Sequence, residues 1–272
     1  MERSGYHRRG GAAERFDLAH SAILRVGAIL RTARLEAGNI QEKTGHQDLV
    51  TYWDKETERS LRQTISEAFP QDAIVGEEYP AALDGGSGVS WYLDPIDGTT
   101  NFVSQHRNYA VSIGCWRGEA PLFGLVLDVE RQALYSAVSG EGAWCGGKAI
   151  RTSSRDTTSR LLLATPGVLH TFLRPSPQRD GLIRLAGDVR GVRSLGSVAL
   201  ELCAVAAGEA DIFIALRSSP WDHNAARIIL AEAGGMASRL DGAPLPVMER
   251  STVLAANSAQ VHKRILMDYC GL

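Results

Sequence analysis

The stretch that decides the fold covers residues 91 to 102 and reads Trp91-Tyr92-Leu93-Asp94-Pro95-Ile96-Asp97-Gly98-Thr99-Thr100-Asn101-Phe102. An apolar strand runs into Asp94, Pro95 is expected to end it, and a helix is expected to start at residues 98–100. Such a turn can direct Asp94, Asp97 and a carbonyl between them at one hard cation, while free amides at the helix start bind a phosphate. The stretch therefore predicts one pocket for a metal ion and an anion.

Three other places carry carboxylates that could join this pocket. Glu77 and Glu78 end a short apolar run that begins at Ile74, and Asp48 precedes the run Leu49-Val50. Asp222 stands where a helix N-cap belongs, and capping explains it about as well as metal binding does. A single Asp-Pro or Asp-Gly usually marks a turn only, but several carboxylates beside strands together with a helix start favour a site.

Two familiar aspartate motifs do not match. An EF-hand loop needs a Glu at its twelfth position, and counting from Asp94 that position is Gln105. Enzymes that form an aspartyl-phosphate begin with two Asp separated by one residue, whereas Pro95 and Ile96 both stand between Asp94 and Asp97. The sequence therefore disfavours an EF-hand and covalent catalysis by aspartate.

The composition is that of a globular protein. The 272 residues include 29 Lys and Arg against 31 Asp and Glu, which gives a net charge of −2, and 44% of residues are hydrophobic. A near-neutral chain without basic runs is not expected to bind nucleic acid, and no apolar stretch reaches membrane-spanning length. No apolar signal core is present near the N-terminus, so we expect a cytoplasmic protein. The four cysteines are far apart and are interpreted as reduced, buried thiols.

The chain divides into a flexible tail at residues 1–13, an N-terminal α+β half at 14–150 and a C-terminal α/β half at 151–272. Helical periodicity predicts a helix over residues 14–37, and Asp54 is expected to be the N-cap of a second helix. Short β-rich runs between residues 73 and 137 predict an antiparallel meander. Strands and helices alternate after residue 152, and two packed α/β layers fit this order better than a Rossmann fold.

Three segments together resemble the signatures of the inositol monophosphatase family: Gly76-Glu77-Glu78, residues 94–102, and Trp221-Asp222 with the trailing Glu232-Ala233-Gly234-Gly235. The resemblance covers nearly the whole chain from Asp48 onward. It implies an α+β fold, a layered αβαβα sandwich that is usually dimeric, and Mg²⁺-dependent hydrolysis of small phosphate monoesters by metal-activated water.

The resemblance also implies residue roles. The implied metal ligands are Glu77, Asp94, the Ile96 carbonyl, Asp97 and Asp222. Glu77 would also orient the attacking water, and Asp48 would form a second polarising pair with the Thr99 hydroxyl. The amides of Gly98 and Thr99 would hold the phosphate. Gly196 and Ser197 match a stretch that lies near the substrate in the family, although Ser197 is equally natural as a helix cap.

The resemblance breaks at the substrate. Animal inositol monophosphatases have a Glu that contacts the inositol ring seven residues before the Asp of the Trp-Asp pair, and this chain has Ala215 there. The nearby Arg217 can instead bind a hydroxyl or a second anionic group. His223, next to Asp222, is interpreted as a surface or packing residue rather than a general acid.

These observations predict a phosphatase for an inositol monophosphate or a related sugar phosphate, with Mg²⁺ as cofactor and a homodimer as the assembly. A histidinol-phosphate phosphatase or a 3′(2′),5′-bisphosphate nucleotide phosphatase is the alternative among enzymes. A regulatory protein that binds metal and phosphate without catalysis is the alternative from another class.

Overall fold

The structure is a computed structural model that describes residues 11–35, 40–45, 48–82 and 86–272, without the side chains of residues 43, 44 and 48. Its helices are α1 Ala12–Thr32, α2 Tyr52–Ala68, α3 Thr99–Gln105, α4 Arg179–Asp188, α5 Val198–Ala206, α6 Pro220–Glu232 and α7 Ala259–Tyr269. Its strands before residue 151 are β1 Ile40–Gly45, β2 Asp48–Thr51, β3 Ala73–Gly76, β4 Val89–Asp97, β5 Ala110–Arg117, β6 Ala120–Asp128, β7 Ala133–Val138, β8 Ala143–Cys145 and β9 Lys148–Ile150. The later strands are β10 Leu162–Ala164, β11 Gly191–Arg193, β12 Ile212–Ser218, β13 Met236–Ser238 and β14 Ser251–Ala256.

In the described ranges the strands form two large sheets and one small one. The seven-stranded sheet has the order β3-β4-β5-β6-β7-β8-β9, and the five-stranded sheet has the order β11-β10-β12-β14-β13. β1 pairs only with β2. The first large sheet is antiparallel except for the parallel pair β3 and β4. None of the helices in these ranges is both long and apolar enough to cross a membrane.

Three apolar clusters show how the layers stack. α1 and α2 cover one face of the seven-stranded sheet, where Leu30 and Leu61 pack with Trp91. α5 and α6 fill the space between the two sheets. α4 and α7 cover the outer face of the five-stranded sheet, where Leu182 and Ile265 are buried. The order of layers is helix, sheet, helix, sheet, helix, so the expected αβαβα sandwich is confirmed.

The two-sided burial of the sheets follows from strand periodicity. Successive side chains of a strand point to opposite faces, and here both faces are covered by helices. In β12, Ile212 and Ile214 belong to the outer cluster, while Phe213 and Ala215 belong to the cluster between the sheets. This explains why the central strands are continuous apolar runs rather than alternating ones.

Two predicted helix boundaries are wrong. α1 begins at Ala12 and ends at Thr32, so it starts inside the predicted tail of residues 1–13 and stops before residue 37. Residues 1–10 lie outside the described part of the chain. α2 begins at Tyr52, and its N-cap is Thr51 rather than Asp54. Asp54 is instead the third residue of the helix. It forms a capping box with Thr51, in which each side chain accepts a hydrogen bond from the other residue's backbone N–H.

The predicted strands also need correction. Pro95 does not end β4, which continues to Asp97 through an irregular pairing between Asp94 and Asp97. A proline is tolerated there because the irregularity removes the need for its missing N–H. The meander is not wholly antiparallel, since β3 runs parallel to β4. The short strands β1, β2, β8 and β9 were missed because three to six residues carry too little periodicity.

Two further expectations concern the whole chain. All four cysteines are free, as predicted, but only Cys115 and Cys203 are buried as expected; Cys145 and Cys270 are half-buried. The division into halves at residue 150 remains a prediction, because α6 from the second half packs directly on β5 and β6 of the first sheet.

The contact between α6 and the seven-stranded sheet depends on glycine. A Cβ built on Gly124 would overlap the carbonyl oxygen of Ala225, and a Cβ on Gly114 would lie 3.0 Å from the Ala225 nitrogen. These glycines are adjacent partners on β5 and β6. Because they carry no side chains, the α6 backbone can approach the sheet closely, and this approach sets the position of the N-terminal end of α6.

We expect Gly124→Ala to lower the stability of the protein by about 1–3 kcal/mol, because the added methyl group overpacks the sheet against α6. The control is Gly187→Ala in α4, where a Cβ meets no atom within 4 Å. That substitution is expected to raise stability by up to ~1 kcal/mol through helix propensity. Thermal unfolding followed by circular dichroism measures both, and an unchanged melting temperature in Gly124→Ala would contradict the close approach.

Candidate active site

The two aspartates of the deciding stretch lie at the end of β4 in different environments. Asp94 is 2% exposed, and its Oδ1 accepts a hydrogen bond of 3.1 Å from the Ile96 N–H. Asp97 reaches across to the N-terminus of α5. Its Oδ2 accepts from the Ser197 hydroxyl at 2.7 Å and from the Ala199 N–H at 2.6 Å. The carboxylate of Asp97 therefore joins the first sheet to a helix of the second half.

The Thr99 hydroxyl is held at the start of α3. It lies 3.0 Å from Asp54 Oδ1 and 3.1 Å from the Ile96 carbonyl oxygen. The carboxylate that the described residues place beside Thr99 is thus that of Asp54, and the predicted pairing of Asp48 with Thr99 stays a prediction. The side chain of Asp48 itself lies outside the described part of the structure. Asp54 is fully buried, and its other oxygen, Oδ2, accepts from the Thr51 N–H at 2.8 Å.

Asp222 enters the site from α6. The N-cap of this helix is Ser219, and Asp222 is the third helical residue, so the expectation that Asp222 occupies the N-cap position is wrong by three residues. Asp222 Oδ2 accepts from the Ser219 N–H at 2.7 Å. The neighbouring His223 is fully buried, with Nδ1 2.9 Å from the Ser218 hydroxyl. It is a packing residue, and burial lowers the pKa of its imidazole to about 3.

Glu77 follows β3 directly. In the parallel pairing of β3 with β4, Gly76 lies opposite Leu93, so the next residues along both strands are Glu77 and Asp94. The pairing therefore brings these two carboxylates to the same edge of the sheet. The structure thus gathers Glu77, Asp94, Asp97 and Asp222 at one place, and their electrostatic interactions show it.

Burial and neighbouring carboxylates raise the pKa values of the aspartates at this site. Burial raises the pKa of Asp94 well above its ordinary value. The charges that raise it further are, in order, those of Glu77, Asp97, Asp222 and Asp54. Burial raises the pKa of Asp97 and of Asp54 to about 6 in each case, against the opposing effect of their hydrogen bonds. Burial, Asp97 and Glu77 raise the pKa of Asp222 strongly.

The chemistry of this donor set fits a hard divalent cation. All the predicted ligand atoms are carboxylate or carbonyl oxygens, which are the ligands of Mg²⁺ in proteins. A cation among them would cancel the repulsion that raises their pKa values. Within the described ranges, however, no three carboxylate, imidazole or thiol side chains already stand in an arrangement that holds a metal.

The structure brings together only some of the residues that were predicted to contact the substrate. A Cβ on Gly98 would lie 3.2 Å from the Gly196 carbonyl oxygen, so the loops before α3 and α5 touch. Ser197 is the N-cap of α5 and accepts from the Leu200 N–H at 3.3 Å, so its side chain caps the helix and binds Asp97. Arg217 lies exposed on β12, and Ala215 of the same strand is completely buried.

Two residues beside the site were missed by the sequence analysis. Asp54 was assigned to an N-cap, although the spacing Thr51-x-x-Asp54 is that of a capping box and identifies Thr51 as the cap. Arg250 carried no recognisable signal. Its Nε donates to the Ser219 hydroxyl at 3.1 Å, and its positive charge lowers the pKa of Asp222, against the larger effect of burial.

Comparison with known proteins agrees with this geometry. The family model described as the inositol monophosphatase family matches residues 12–270. The inositol-1-monophosphatase of Bacillus subtilis is 39% identical over 254 residues, which are 93% of this chain and 95% of that protein. Two crystal structures of SaIMPase-II from Staphylococcus aureus are also similar. The one with bound inositol monophosphate has a TM-score of 0.80 at 29% identity, covering 94% of this chain and 93% of that one. The one with bound 2′AMP has a TM-score of 0.83 at 32% identity, covering 94% of each chain.

A further buried carboxyl group, Glu201 of α5, supports the loop that precedes this helix. Its Oε1 accepts from the Leu195 N–H at 2.6 Å and from the Gly196 N–H at 3.3 Å. Its Oε2 is buried without a partner among the described residues. Burial raises the pKa of Glu201 to about 8, although the two N–H donors oppose this. At neutral pH the group is therefore protonated in the folded protein.

We expect Glu201→Gln to stabilise the protein at pH 8 and to have little effect at pH 5. A folded-state pKa above the unfolded value means that the wild type loses stability as the pH rises from about 4.5 to 8, and a neutral amide removes that loss. The melting temperature at pH 8 should rise by about 2–4 °C for each kcal/mol recovered. Exposed Glu209→Gln serves as the control, and equal pH dependence in wild type and Glu201→Gln would contradict the assignment.

Proposed function

Because the chain belongs to the inositol monophosphatase family, a family of phosphoric monoester hydrolases, we propose that it is a Mg²⁺-dependent phosphatase. Its substrate is a small phosphate monoester, an inositol monophosphate or a related sugar phosphate. The observation that supports this proposal best is the convergence of four carboxylates, buried at Asp94 and Asp97 and half-buried at Glu77 and Asp222, beside the pair formed by Thr99 and Asp54.

The residues that would hold Mg²⁺ are Glu77, Asp94, the carbonyl group of Ile96, Asp97 and Asp222. When bound, Mg²⁺ neutralises charge on the phosphate oxygens, makes water a stronger nucleophile and stabilises the leaving alkoxide. The carboxylates supply a negative site that attracts the cation, and their buried position keeps bulk water from screening that attraction.

The Thr99 hydroxyl is placed to assist the attacking water. Its hydrogen can be donated to the Asp54 carboxylate, which leaves the hydroxyl oxygen as an acceptor for a proton of water. The negative charge of the Asp54 carboxylate can then stabilise the positive charge that develops on the Thr99 hydroxyl along this hydrogen bond. Glu77 is assigned to hold the water in line with the phosphorus, so two groups fix its direction of attack.

The amides of Gly98 and Thr99 are assigned to the phosphate. Gly98 adopts a left-handed conformation with φ of 95°, which lets the chain turn sharply from β4 into α3. Gly196, Ser197 and Arg217 are assigned to the rest of the substrate. Ser197 would act through its backbone, since its hydroxyl is bonded to Asp97.

We include in this proposal a homodimer located in the cytoplasm. The relatives named above are matched over at least 93% of their lengths, and the family resemblance implies dimers. Size-exclusion chromatography with light scattering tests the assembly: a mass near 59 kDa, twice the 29.4 kDa of one chain, supports a dimer.

The proposed function is tested by measuring phosphate release with Mg²⁺ over a panel of esters. The panel contains inositol 1-phosphate, histidinol phosphate, adenosine 3′,5′-bisphosphate and fructose 1,6-bisphosphate. Release from one of the last three alone would favour an alternative phosphatase. No release from any ester, with phosphate and Mg²⁺ still bound, would favour the non-catalytic protein.

We expect Asp94→Asn and Asp97→Asn each to lower Mg²⁺-dependent phosphate release by more than about a hundredfold, because a neutral amide replaces an anionic ligand. Both variants should fold, as measured by circular dichroism. The control is Asp241→Asn, an exposed aspartate paired with Arg239. Wild-type activity in either site variant would show that its carboxylate does not hold the metal.

We expect Glu77→Gln to lower kcat by more than about tenfold and to leave KM within about threefold, because the phosphate is also held by other groups. Steady-state kinetics with the best ester of the panel measures both constants. No phosphoenzyme should form, since water attacks the phosphorus directly. A phosphorylated aspartate trapped by rapid acid quench would contradict this mechanism.

We expect weak discrimination between substrates, because Ala215 offers no carboxylate for an inositol ring. The kcat/KM for inositol 1-phosphate should lie within about tenfold of that for another ester, or ~1.4 kcal/mol. The two ligands of SaIMPase-II, an inositol phosphate and a nucleotide, support this expectation. A preference of roughly a thousandfold, ~4 kcal/mol, would require a residue that replaces the missing carboxylate.

A further inference from the structure

One buried carboxylate near the site takes part in none of the steps above. Glu58 lies in the middle of α2, and its side chain is completely inaccessible to solvent. A buried charge is costly unless it is paired and hydrogen-bonded, so its partners indicate what it does. These partners are Arg62, one turn later on α2, and the backbone that follows β3.

The contacts of Glu58 surround Glu77. Its Oε2 accepts from the Glu78 N–H at 2.7 Å, and its Oε1 lies 3.3 Å from the Tyr79 N–H. On the other side of Glu77, a Cβ built on Gly76 would overlap the Glu58 carboxylate. The carboxylate therefore touches the chain both immediately before and immediately after the residue assigned to orient water.

Arg62 completes this contact. Its Nε donates to Glu58 Oε1 at 2.7 Å, and its Nη2 donates to the Tyr79 carbonyl oxygen at 3.1 Å. The guanidinium also lies over the Tyr79 ring at 5.8 Å. Both the N–H and the carbonyl group of Tyr79 are thus held by α2, and the backbone at residues 77–79 has little freedom to shift.

α2 carries a second group of the site on the same face. Asp54 and Glu58 are four residues apart, so their side chains lie one above the other on the helix. Asp54 binds the Thr99 hydroxyl, and Glu58 binds the segment that contains Glu77. One helix face therefore touches both groups assigned to direct the attacking water.

We propose that Glu58 is a positioning residue for Glu77: it fixes the backbone from Gly76 to Tyr79 so that Glu77 keeps its orientation relative to the Thr99–Asp54 pair. This inference rests on the proposed phosphatase function. It also explains why residue 76 is a glycine. The backbone of Gly76 is not in the left-handed region, so its conformation does not require glycine. A side chain at this position would instead collide with the Glu58 carboxylate.

The alternative is that Glu58 only stabilises α2 against β3. A structural role and a positioning role differ in their dependence on Glu77. A loss of general stability affects the enzyme whether or not Glu77 carries a carboxylate. A positioning role disappears when the carboxylate that is being positioned has been removed, so the two substitutions are then non-additive.

The experiment is a double-mutant cycle between Glu58→Gln and Glu77→Gln, with kcat and KM measured at saturating Mg²⁺. We expect Glu58→Gln to lower kcat by more than tenfold with KM within threefold. In the Glu77→Gln background the same substitution should lower kcat by less than twofold. The matched control is Glu67→Gln, an exposed glutamate on the same helix, which should change kcat by less than twofold.

A readout independent of activity is amide hydrogen exchange of residues 76–80. In Glu58→Gln the amides of Glu78 and Tyr79 should exchange at least tenfold faster, because the amide side chain cannot bind both of them and Arg62 as well. Exchange in α7, on the far side of the molecule, should not change. If Glu58→Gln does not fold, Gly76→Ala replaces it in the cycle, since it displaces the same carboxylate from the opposite side.

The inference is overturned by a folded Glu58→Gln enzyme whose kcat lies within twofold of wild type. It is equally overturned if Glu58→Gln lowers kcat by the same factor in the wild-type and Glu77→Gln backgrounds, because that result would mark Glu58 as structural. Failure of the proposed function is distinguishable: the wild type would then release no phosphate from any ester. In that case the exchange of the Glu78 and Tyr79 amides still decides whether Glu58 holds the segment.

Discussion

The constraint on which the rest of the structure depends is the repulsion among buried carboxylates. Each of these groups is more costly to ionise because the others are close and water is excluded. A chain that folds around such a cluster must hold every member firmly from outside. The structure does so with the N-termini of helices, where backbone N–H groups point outward and the helix dipole favours negative charge.

Three of the carboxylates are held in this way. Asp54 and Asp222 are the third residues of capping boxes, on α2 and α6 respectively. Asp97 belongs to a strand but accepts two N–H groups and the N-cap hydroxyl of α5. Helix capping and the proposed role at the site are therefore compatible for these residues. The bonds that cap the helices are the bonds that keep the negative charges close together.

This arrangement also shows which parts of the site can be predicted from the sequence. Asp94 and Asp97 stand in a short segment with strand, turn and helix signals, and local chemistry is sufficient to identify them. Asp54 is harder to identify, because it lies 45 residues from its partner Thr99 in the sequence and only the fold brings the two together. The family resemblance implies Asp48 for this role, and both aspartates lie near the same short apolar run, so the sequence alone does not distinguish them.

The errors in the predicted strands have the same origin as those in the predicted site. Long periodic segments predict alternating helices and strands in packed α/β layers, and the family resemblance implies the αβαβα order. The passage of β4 through Pro95 and the parallel pairing of β3 with β4 depend on contacts between distant segments, which local propensity does not report. That parallel pairing matters for function, because it places Glu77 next to Asp94.

The two sides of the site differ in how freely they can change. Asp54, Asp94 and Asp97 are each less than 9% exposed and are tied to backbone groups, so a substitution there leaves buried donors without partners. Arg217 and Arg250 are exposed, and surface substitutions usually alter stability by no more than about 0.5 kcal/mol. The groups assigned to the metal and to water are therefore fixed by folding itself. Of the side chains proposed to contact the rest of the substrate, Arg217 is exposed, whereas Ser197 is buried and bonded to Asp97. The proposed contact at Arg217 can therefore vary at little cost to the fold, while the one at Ser197 cannot.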